Sequence, residues 1–552
     1  MSDQKEVRFG IDRLVTNGRR IFGWGWVAHP TKSIATAALK LEGDGWQSRL
    51  PADFGLTRED VERAFPSLRN AGSSGFVVTG YPKQQPVKKA TLDVRFDDGE
   101  STELDITHVI EARPASRRKL REVLWLARAA GRRLVRGDFR GIARRALAQN
   151  YGAPSLDDVV TVTRLLPQLA TATASVVFDH NLGGGANQYR RQLIGDRLAA
   201  GSIVLLCTYN LPTLDYRLQV FRPGGSEDIY RMSSFVGLDT ILAKVKVTEI
   251  FVNSPVSFDE PLVFANWIAS MRASLRATRL TVAVHDYFVA CPSFVLLDAD
   301  GKYCGIPEDL RVCAQCLPRH PARYVALSPP TEIGPWRSLW GRCLASADEI
   351  RCFSQSTRRL LLRAYPTLDE DRITVVPHRV EFVPSRLPAP DHSAPLVIGI
   401  IGQISEQKGA LVVKELVARI ERDHPDVRVV VIGGIDIPVR SPRLHVTGAY
   451  KHEDLVGLIE ANKINLAFFP SICPETFSYV TEEMIRLELP VVAFDLGAPG
   501  ERLRGYRKGR LCPEVTAESA LSTLLRYHEE LAANEVSVVT NSALPIGSRL
   551  RG

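Results

Sequence analysis

The chain has 552 residues, 45% of them apolar, and a formal net charge of +8; it is too long for a single hydrophobic core and too apolar for a disordered chain, so two or three domains are expected. No apolar run approaches the roughly eighteen residues of a membrane-spanning helix, and the opening "MSDQKEVRFG" has neither the basic start nor the apolar stretch of a secretory signal. The charge is concentrated: twelve Lys/Arg stand against two Asp/Glu between Arg113 and Arg145, so the rest of the chain is slightly acidic and the high pI says little about it.

Residues 1–112 read as β structure. In "RIFGWGWVAHP", Phe22, Trp24 and Trp26 alternate with glycine at period two, and "ATLDVRF", "DDGE" and "STELDI" read as a hairpin with its turn. Several short strands between Gly/Asp/Pro turns predict a small antiparallel β-sandwich. The tryptophan stripe is either a sugar-stacking platform or a buried strand face, and apolar strand faces are usually core.

Residues 113–171 read as a basic helical linker. Within 115–148, Leu120, Leu124, Ala127 and Leu134 fall at helical spacing and the opposite face is rich in arginine. That pattern suits a helix lying on anionic lipid headgroups, or a solvated connector between domains. No aromatic or motif companion supports nucleic-acid binding.

From residue 172 the pattern becomes α/β. Apolar strands such as "ASVVFDHNL", "SIVLLCTYN" and "LTVAVHDYF" lead to a Pro-rich break at 384–395; a second series follows with "LVIGIIGQI", "VRVVVIGGI" and "INLAFFP". Two doubly wound domains facing a cleft are expected, 172–384 and 385–552. In such sheets ligands bind beyond the carboxyl ends of the strands, near helix N-termini. "PETFSYVTEEM" falls at such a place, with a helix expected from about Phe477 and free amides from Phe477 to Val480 suited to a diphosphate. Glu483 shares the inward helix face of Val480, Met484 and Leu487, where a carboxylate is costly unless it accepts hydrogen bonds. Vicinal ribose hydroxyls would donate two, and Glu475 in the preceding loop is placed to accept from sugar hydroxyls.

This pair resembles the E-x7-E motif of the retaining family 4 glycosyltransferases. The resemblance covers about residues 172–530 and implies an α/β fold of two Rossmann-like domains, the GT-B fold, here preceded by the sandwich and the basic connector. "GIIGQISEQKG" is similar to the family's donor-phosphate loop, with Lys408 and Gly409 in the binding positions. "NLGGGANQY" is similar to its Gly-rich loop, giving Gly183, Gly184 and Gly185, and "VAVHDYF" places His285 where the family often has a histidine near the donor sugar. The family often has an arginine where this chain has Gln403, so phosphate charge would rest on Lys408, the helix end and Arg379. What the resemblance implies is transfer of a sugar, with retention, from a nucleotide-diphosphate donor to a glycan acceptor, lipid-linked and destined for a bacterial surface polysaccharide. His285 and Glu475 would act on the sugar; Phe477, Ser478, Tyr479 and Glu483 would complete the donor site. No cofactor is required by that scheme. The expected setting is the cytoplasm, where nine cysteines would stay reduced, at the inner face of the plasma membrane.

Cys291, Cys304, Cys313 and Cys316 have the spacing C-x12-C-x8-C-x2-C, which suits a tetrahedral structural zinc or a set of buried thiols. "GGGANQ" lacks the spacing of a dinucleotide-binding turn, which argues against a dehydrogenase. A nucleotide-sugar 2-epimerase and a catalytically degenerate glycan-binding protein are the alternatives.

Overall fold

The described residues of a computed structural model, 7–16, 20–56, 58–80, 87–112, 153–157, 159–170, 172–320, 332–380 and 390–542, form three sheets. The arginine-rich stretch 113–148 and the helix expected there lie outside them.

The first sheet holds β1 (Arg8–Thr16), β2 (Ile21–Ala28), β3 (Ile34–Gly43), β4 (Trp46–Leu56), β5 (Gly75–Gly80), β6 (Lys89–Phe96), β7 (Ser101–Asp105) and β8 (Glu111–Ala112), in the order β7-β6-β3-β4-β5-β2-β1-β8. Its pairings are antiparallel except β1 with β8. The β6–β7 hairpin forms in the register that sets Leu92 opposite Leu104. A two-sheet sandwich is expected from the sequence, but here one sheet continues through β4. Trp46–Pro51 of that strand pairs with β3, and Ala52–Leu56 pairs with β5. The sheet folds back on itself, because Leu14 of β1 and Leu104 of β7 share one apolar core. The aromatic stripe is a packing face: Phe22 is buried in the core of the neighbouring domain and Trp24 packs against it.

The second sheet is built from β9 (Thr173–Asp179), β10 (Ile203–Asn210), β11 (Asp215–Phe221), β12 (Glu227–Met232), β13 (Lys246–Val252), β14 (Arg279–Ala283), β15 (Glu349–Cys352) and β16 (Ile373–Val375). Its order is β12-β11-β10-β9-β13-β14-β15-β16, parallel except at the β11 and β12 edge. Parallel strands buried on both faces need continuous apolar runs, as in β9, where all but the first residue are buried. This lobe begins before residue 172, where a linker is expected: Leu156, and Leu165 and Leu169 of the helix Val159–Leu169, are buried in its core.

The third sheet holds β17 (Val397–Ile404), β18 (Arg428–Ile435), β19 (Leu444–Val446), β20 (Leu466–Phe469), β21 (Val491–Phe494) and β22 (Gly509–Cys512). All are parallel, in the order β19-β18-β17-β20-β21-β22. This is the doubly wound 3-2-1-4-5-6 order, which reverses between β17 and β20. No helix among the described residues is long and apolar enough to cross a membrane.

Arg20 joins the first domain to the second. It is fully buried, its guanidinium lies 3.6 Å from Asp259 and over the ring of Tyr209, and its Nε donates to Thr79 Oγ1 at 3.4 Å. Removing one partner strands the other charge out of water, at about 3–5 kcal/mol. Asp259→Ala is therefore expected to lower stability by about 3 kcal/mol, read by calorimetry as an earlier melting of the first two domains.

Candidate active site at the strand-order reversals

Each parallel sheet reverses its order at one place, and the two places face each other. In the second sheet the reversal lies between β9 and β13. β9 ends at Asp179, and the chain then turns through Gly183, Gly184 and Gly185 into the helix Gly184–Ala199. Asn187 ties this loop: its Oδ1 accepts from Gly183 N at 2.8 Å, and its Nδ2 donates to Asp179 Oδ2 at 3.0 Å and to the His180 carbonyl at 2.8 Å. Arg190 Nη1 lies 3.1 Å from Asp179 Oδ2 and donates to the His180 carbonyl at 2.8 Å. Burial pushes the Asp179 carboxyl up to about 7 against the pull of Arg190, and pulls the His180 imidazole down to about 4.

In the third sheet the reversal brings together the loops after β17 and β20. Gly409 caps the helix Ala410–Asp423 at φ 87, where a Cβ would lie 2.1 Å from the Pro470 carbonyl oxygen, so both conformation and space demand glycine. This seats Lys408 beside Glu475, with Nζ 4.0 Å from Oε1; the lysine side chain is 44% exposed and the glutamate 14%. The Glu475 backbone is held from below, where Ala498 N donates to its carbonyl at 2.8 Å and Gly497 leaves no room for a Cβ. Glu475 Oε1 is buried without a hydrogen-bond partner.

The helix of the glutamate motif spans Tyr479–Arg486, two residues later than the sequence suggests. The reason is Ser478: its Oγ caps the helix by accepting from Thr481 N at 3.2 Å. That amide is already satisfied, which leaves those of Tyr479 and Val480, with Phe477 and Ser478 ahead of the helix, nearest the cleft. Glu483 is buried on the inner face, as its spacing requires; Oε1 lies 3.4 Å from His452 Nδ1, and Oε2 has no hydrogen-bond partner. Burial pushes its carboxyl up to about 7.

The lobes meet through side chains, several of them expected from the motifs. Tyr479 lies against Gly185, where a Cβ would sit 3.2 Å from its ring, and its hydroxyl is 2.9 Å from His378 Nδ1. His378 stacks on Phe477 with ring centroids 4.4 Å apart, and His285 stacks on Phe353 at 4.3 Å. Thr476 Oγ1 donates to the His285 carbonyl at 2.7 Å, so that carbonyl is already engaged. Burial, with His378, His180 and Arg351 nearby, holds the His285 imidazole well below its ordinary value and hence neutral. A recess of about 510 Å³ opens between Gln188, Arg191 and Arg379 of one lobe and His452, the neighbour of Glu483, of the other.

Arg379, expected to share the phosphate charge, has its guanidinium 2.7 Å from Asp196 on the Gly184–Ala199 helix and lines the same recess. Gln403 donates to Asp436 Oδ1 at 2.5 Å and so braces the neighbouring loop. The four cysteines share one loop region; burial raises the pKa of each thiol, and neighbouring thiols raise those of Cys291, Cys304 and Cys313 further. Among the described residues, however, no group of three or more His, Cys, Asp or Glu is arranged to hold a metal ion. Cys291 and Cys304 pack against the small core of Tyr287, Ala290, Leu296 and Ile306.

His378, Tyr189, Asn253 and Thr476 are site residues not expected from the sequence, although Tyr189 and Thr476 fall inside its motifs; the Tyr189 ring lies 5.0 Å from that of His285, and Asn253 Oδ1 is 2.7 Å from His285 Nε2. Their one shared signal is position, since Asn253 directly follows a strand and Thr476 lies between Glu475 and the helix cap.

Residues 395–530 match the family model described as glycosyl transferases group 1, a span that contains Lys408, Glu475, Glu483 and His452. Alpha-maltose-1-phosphate synthase of Mycolicibacterium smegmatis is 26% identical over 248 residues, 40% of this chain and 59% of that protein; the chain thus spans less than two thirds of this curated relative. Sucrose-phosphate synthase of Thermosynechococcus elongatus aligns over 67% of this chain and 98% of its own at 15% identity, with a TM-score of 0.43. Anabaena HepE in complex with UDP and glucose aligns over 67% and 99% at 15% identity, with a TM-score of 0.39.

The raised Glu483 pKa has a signed consequence. Between about 4.5 and 7 the folded state holds a proton that the unfolded chain has lost, so stability falls as pH rises through that window. Glu483→Gln is expected to remove this part of the slope. The ligand-free variant should gain on the order of 3 kcal/mol over wild type at pH 8 and nothing at pH 4, measured by urea denaturation at both pH values.

Proposed function

We propose that the protein is a retaining glycosyltransferase that takes a sugar from a nucleotide-diphosphate donor. One observation carries this reading: at the strand-order reversal of the lobe matching the group 1 model, a lysine lies beside the half-buried Glu475 and Glu483 is buried on the helix that follows, and each glutamate keeps a buried oxygen without a hydrogen-bond partner. Buried carboxylate oxygens need donors, and vicinal hydroxyls of a sugar and a ribose supply them in pairs. Glu475 holds the sugar and Glu483 the ribose, with the nucleoside in the recess beside His452.

When the glycosidic bond to the diphosphate breaks, its electron pair leaves on phosphate oxygen while the anomeric carbon becomes electron-poor. Lys408 and the amides at the start of the Tyr479–Arg486 helix stabilise the growing anion. Phe477, Ser478 and Tyr479 shape that end of the helix, Gly183 to Gly185 bring backbone against the opposite side, and His285 positions sugar hydroxyls as a neutral imidazole. No step of this scheme routes through a metal.

The acceptor in this reading is a lipid-linked glycan of a surface polysaccharide, and the arginine-rich residues 113–148 rest on anionic lipid. Support for both comes from the composition of that segment alone. Cys291, Cys304, Cys313 and Cys316 are the thiols that would hold a structural zinc in this reading. Metal analysis of the purified protein tests it: stoichiometric zinc supports the site and its absence opposes it.

The test of function is a thermal-shift screen against UDP-, GDP-, ADP- and dTDP-sugars, followed by transfer assays. One donor is expected to stabilise the wild type, with the effect lost in Lys408→Ala and in Glu483→Ala. Transfer by Lys408→Ala is expected to fall by about 10²–10³-fold, and the product's anomeric configuration, read by NMR, should match the donor's. Stabilisation without turnover on any acceptor would identify a binding protein, and isomerisation of the free nucleotide sugar an epimerase.

A further inference from the structure

Asn253 follows β13 at the strand-order reversal of the second sheet and is fully buried. Its backbone N donates to the Phe178 carbonyl at 2.8 Å, and its side-chain Nδ2 donates to the Ala186 carbonyl, in the Gly-rich loop helix, at 3.1 Å. A carbonyl oxygen can only accept, so Ala186 fixes which end of the amide is which. The amide nitrogen faces Ala186, and Oδ1 faces His285 Nε2 at 2.7 Å. That oxygen is also only an acceptor, so the His285 nitrogen opposite it must carry the hydrogen.

The remaining nitrogen, Nδ1, makes no hydrogen bond among the described residues, and the ring has nowhere to turn. It is stacked on Phe353 at 4.3 Å and met by the Tyr189 ring at 5.0 Å and the His378 ring at 5.1 Å. The charged and titratable groups around it are otherwise committed. Arg351 donates to the Tyr189 hydroxyl at 2.9 Å and is paired with Glu349, and Asp286 accepts from Ser254 Oγ at 2.7 Å. Asp179 is held by Asn187 and Arg190, and the His180 ring nitrogen Nδ1 accepts from Leu182 N at 3.0 Å.

We propose that Asn253 is a positioning residue: it holds the His285 ring with its hydrogen on Nε2, so that the lone pair of Nδ1 is the acceptor for a hydroxyl of the donor sugar. The Gly-rich loop thereby sets the hydrogen-bonding character of His285, because the amide that orients the ring is itself oriented by Ala186. The sugar's hydroxyl must donate at this point, and a donor with no hydroxyl there forfeits the contact. This rests on the glycosyltransferase reading for the sugar, but the placement of the hydrogen does not.

The experiment has two arms that separate these. In wild-type protein labelled with 15N-histidine, with the His285 signal assigned by its loss in His285→Gln, Nε2 is expected to have the chemical shift of a protonated ring nitrogen and Nδ1 that of an unprotonated one, with no change between pH 6 and 8. A hydrogen on Nδ1 overturns the proposal regardless of function. In the second arm Asn253→Asp places a carboxylate against Nε2, which favours the doubly protonated ring and removes the lone pair at lower pH. With whichever of the UDP-, GDP-, ADP- or dTDP-sugars the wild type turns over, the ratio of variant to wild-type kcat/KM is expected to rise from pH 6 to pH 8, by about tenfold when the carboxylate brings the ring to half-protonation at about pH 7. A merely structural role would lower that ratio equally at both values and overturns the assignment. If the wild type turns over none of the sugars, the functional reading fails, while the NMR arm still decides where the hydrogen sits; should the variant not fold, the NMR arm by itself upholds or overturns the proposal.

Discussion

A carboxylate out of water must find hydrogen-bond donors, and how this chain meets that demand organises the cleft. Glu349 shows the structural solution. It is buried, yet Arg351 grips it with two nitrogens and Thr374 donates a third bond, so that these partners overcome the cost of burial and hold its carboxyl below the usual range. Glu483 is at least as buried and has no such arrangement; the exposed ring of His452 lies 3.4 Å away and Arg486 pulls from a distance, yet burial wins and the Glu483 carboxyl moves the other way. One chain thus contains a finished carboxylate and an unfinished one. The unfinished one lies where two parallel sheets present their order reversals to each other.

Much of the third domain is legible in the sequence because its determinants are local. Strands buried on both faces must read as β-branched apolar runs, and "VIGIIGQI" and "RVVVIGGI" do so without ambiguity. A glycine that must sit against a carbonyl follows its lysine directly, so Lys408 and Gly409 are read as one unit. The inward direction of Glu483 follows from helix periodicity alone. What cannot be read depends on contacts between distant segments. His378, Tyr189 and Phe353 come from three separate elements and meet only once the second sheet is assembled. The start of the motif helix turns on one hydroxyl, because Ser478 caps it and displaces the boundary from Phe477 to Tyr479. The pairing of Arg379 with Asp196 is hidden for the same reason, since the two are far apart in the chain.

The first domain illustrates a different limit. Alternating aromatics say that a strand face is covered without saying what covers it. Phe22 and Trp24 are covered by the neighbouring lobe, and Arg20 beside them is buried against Asp259 of that lobe. An arginine carried into an interface with its counter-charge is fixed in a way that a purely apolar contact is not, because any sliding strands a charge. Likewise, β4 pairs with one neighbour along its first half and with another along its second, a division invisible in its own eleven residues.

Contacts across the lobe boundary share a property. Glu501, on the Gly497–Arg504 helix of the third domain, accepts from the amides of Gln355 and Ser356 at 3.0 and 2.6 Å, at the start of a helix of the second domain. With the Thr476 hydroxyl on the His285 carbonyl, this makes a set of short, directional bonds that cannot stretch gradually. Parting the lobes uncovers a helix end and a buried carbonyl in the same movement, each of which then needs water. The mouth of the cleft is accordingly built as a latch, held or released, and the intermediate widths that a soft hinge would sample are the states its own backbone groups disfavour.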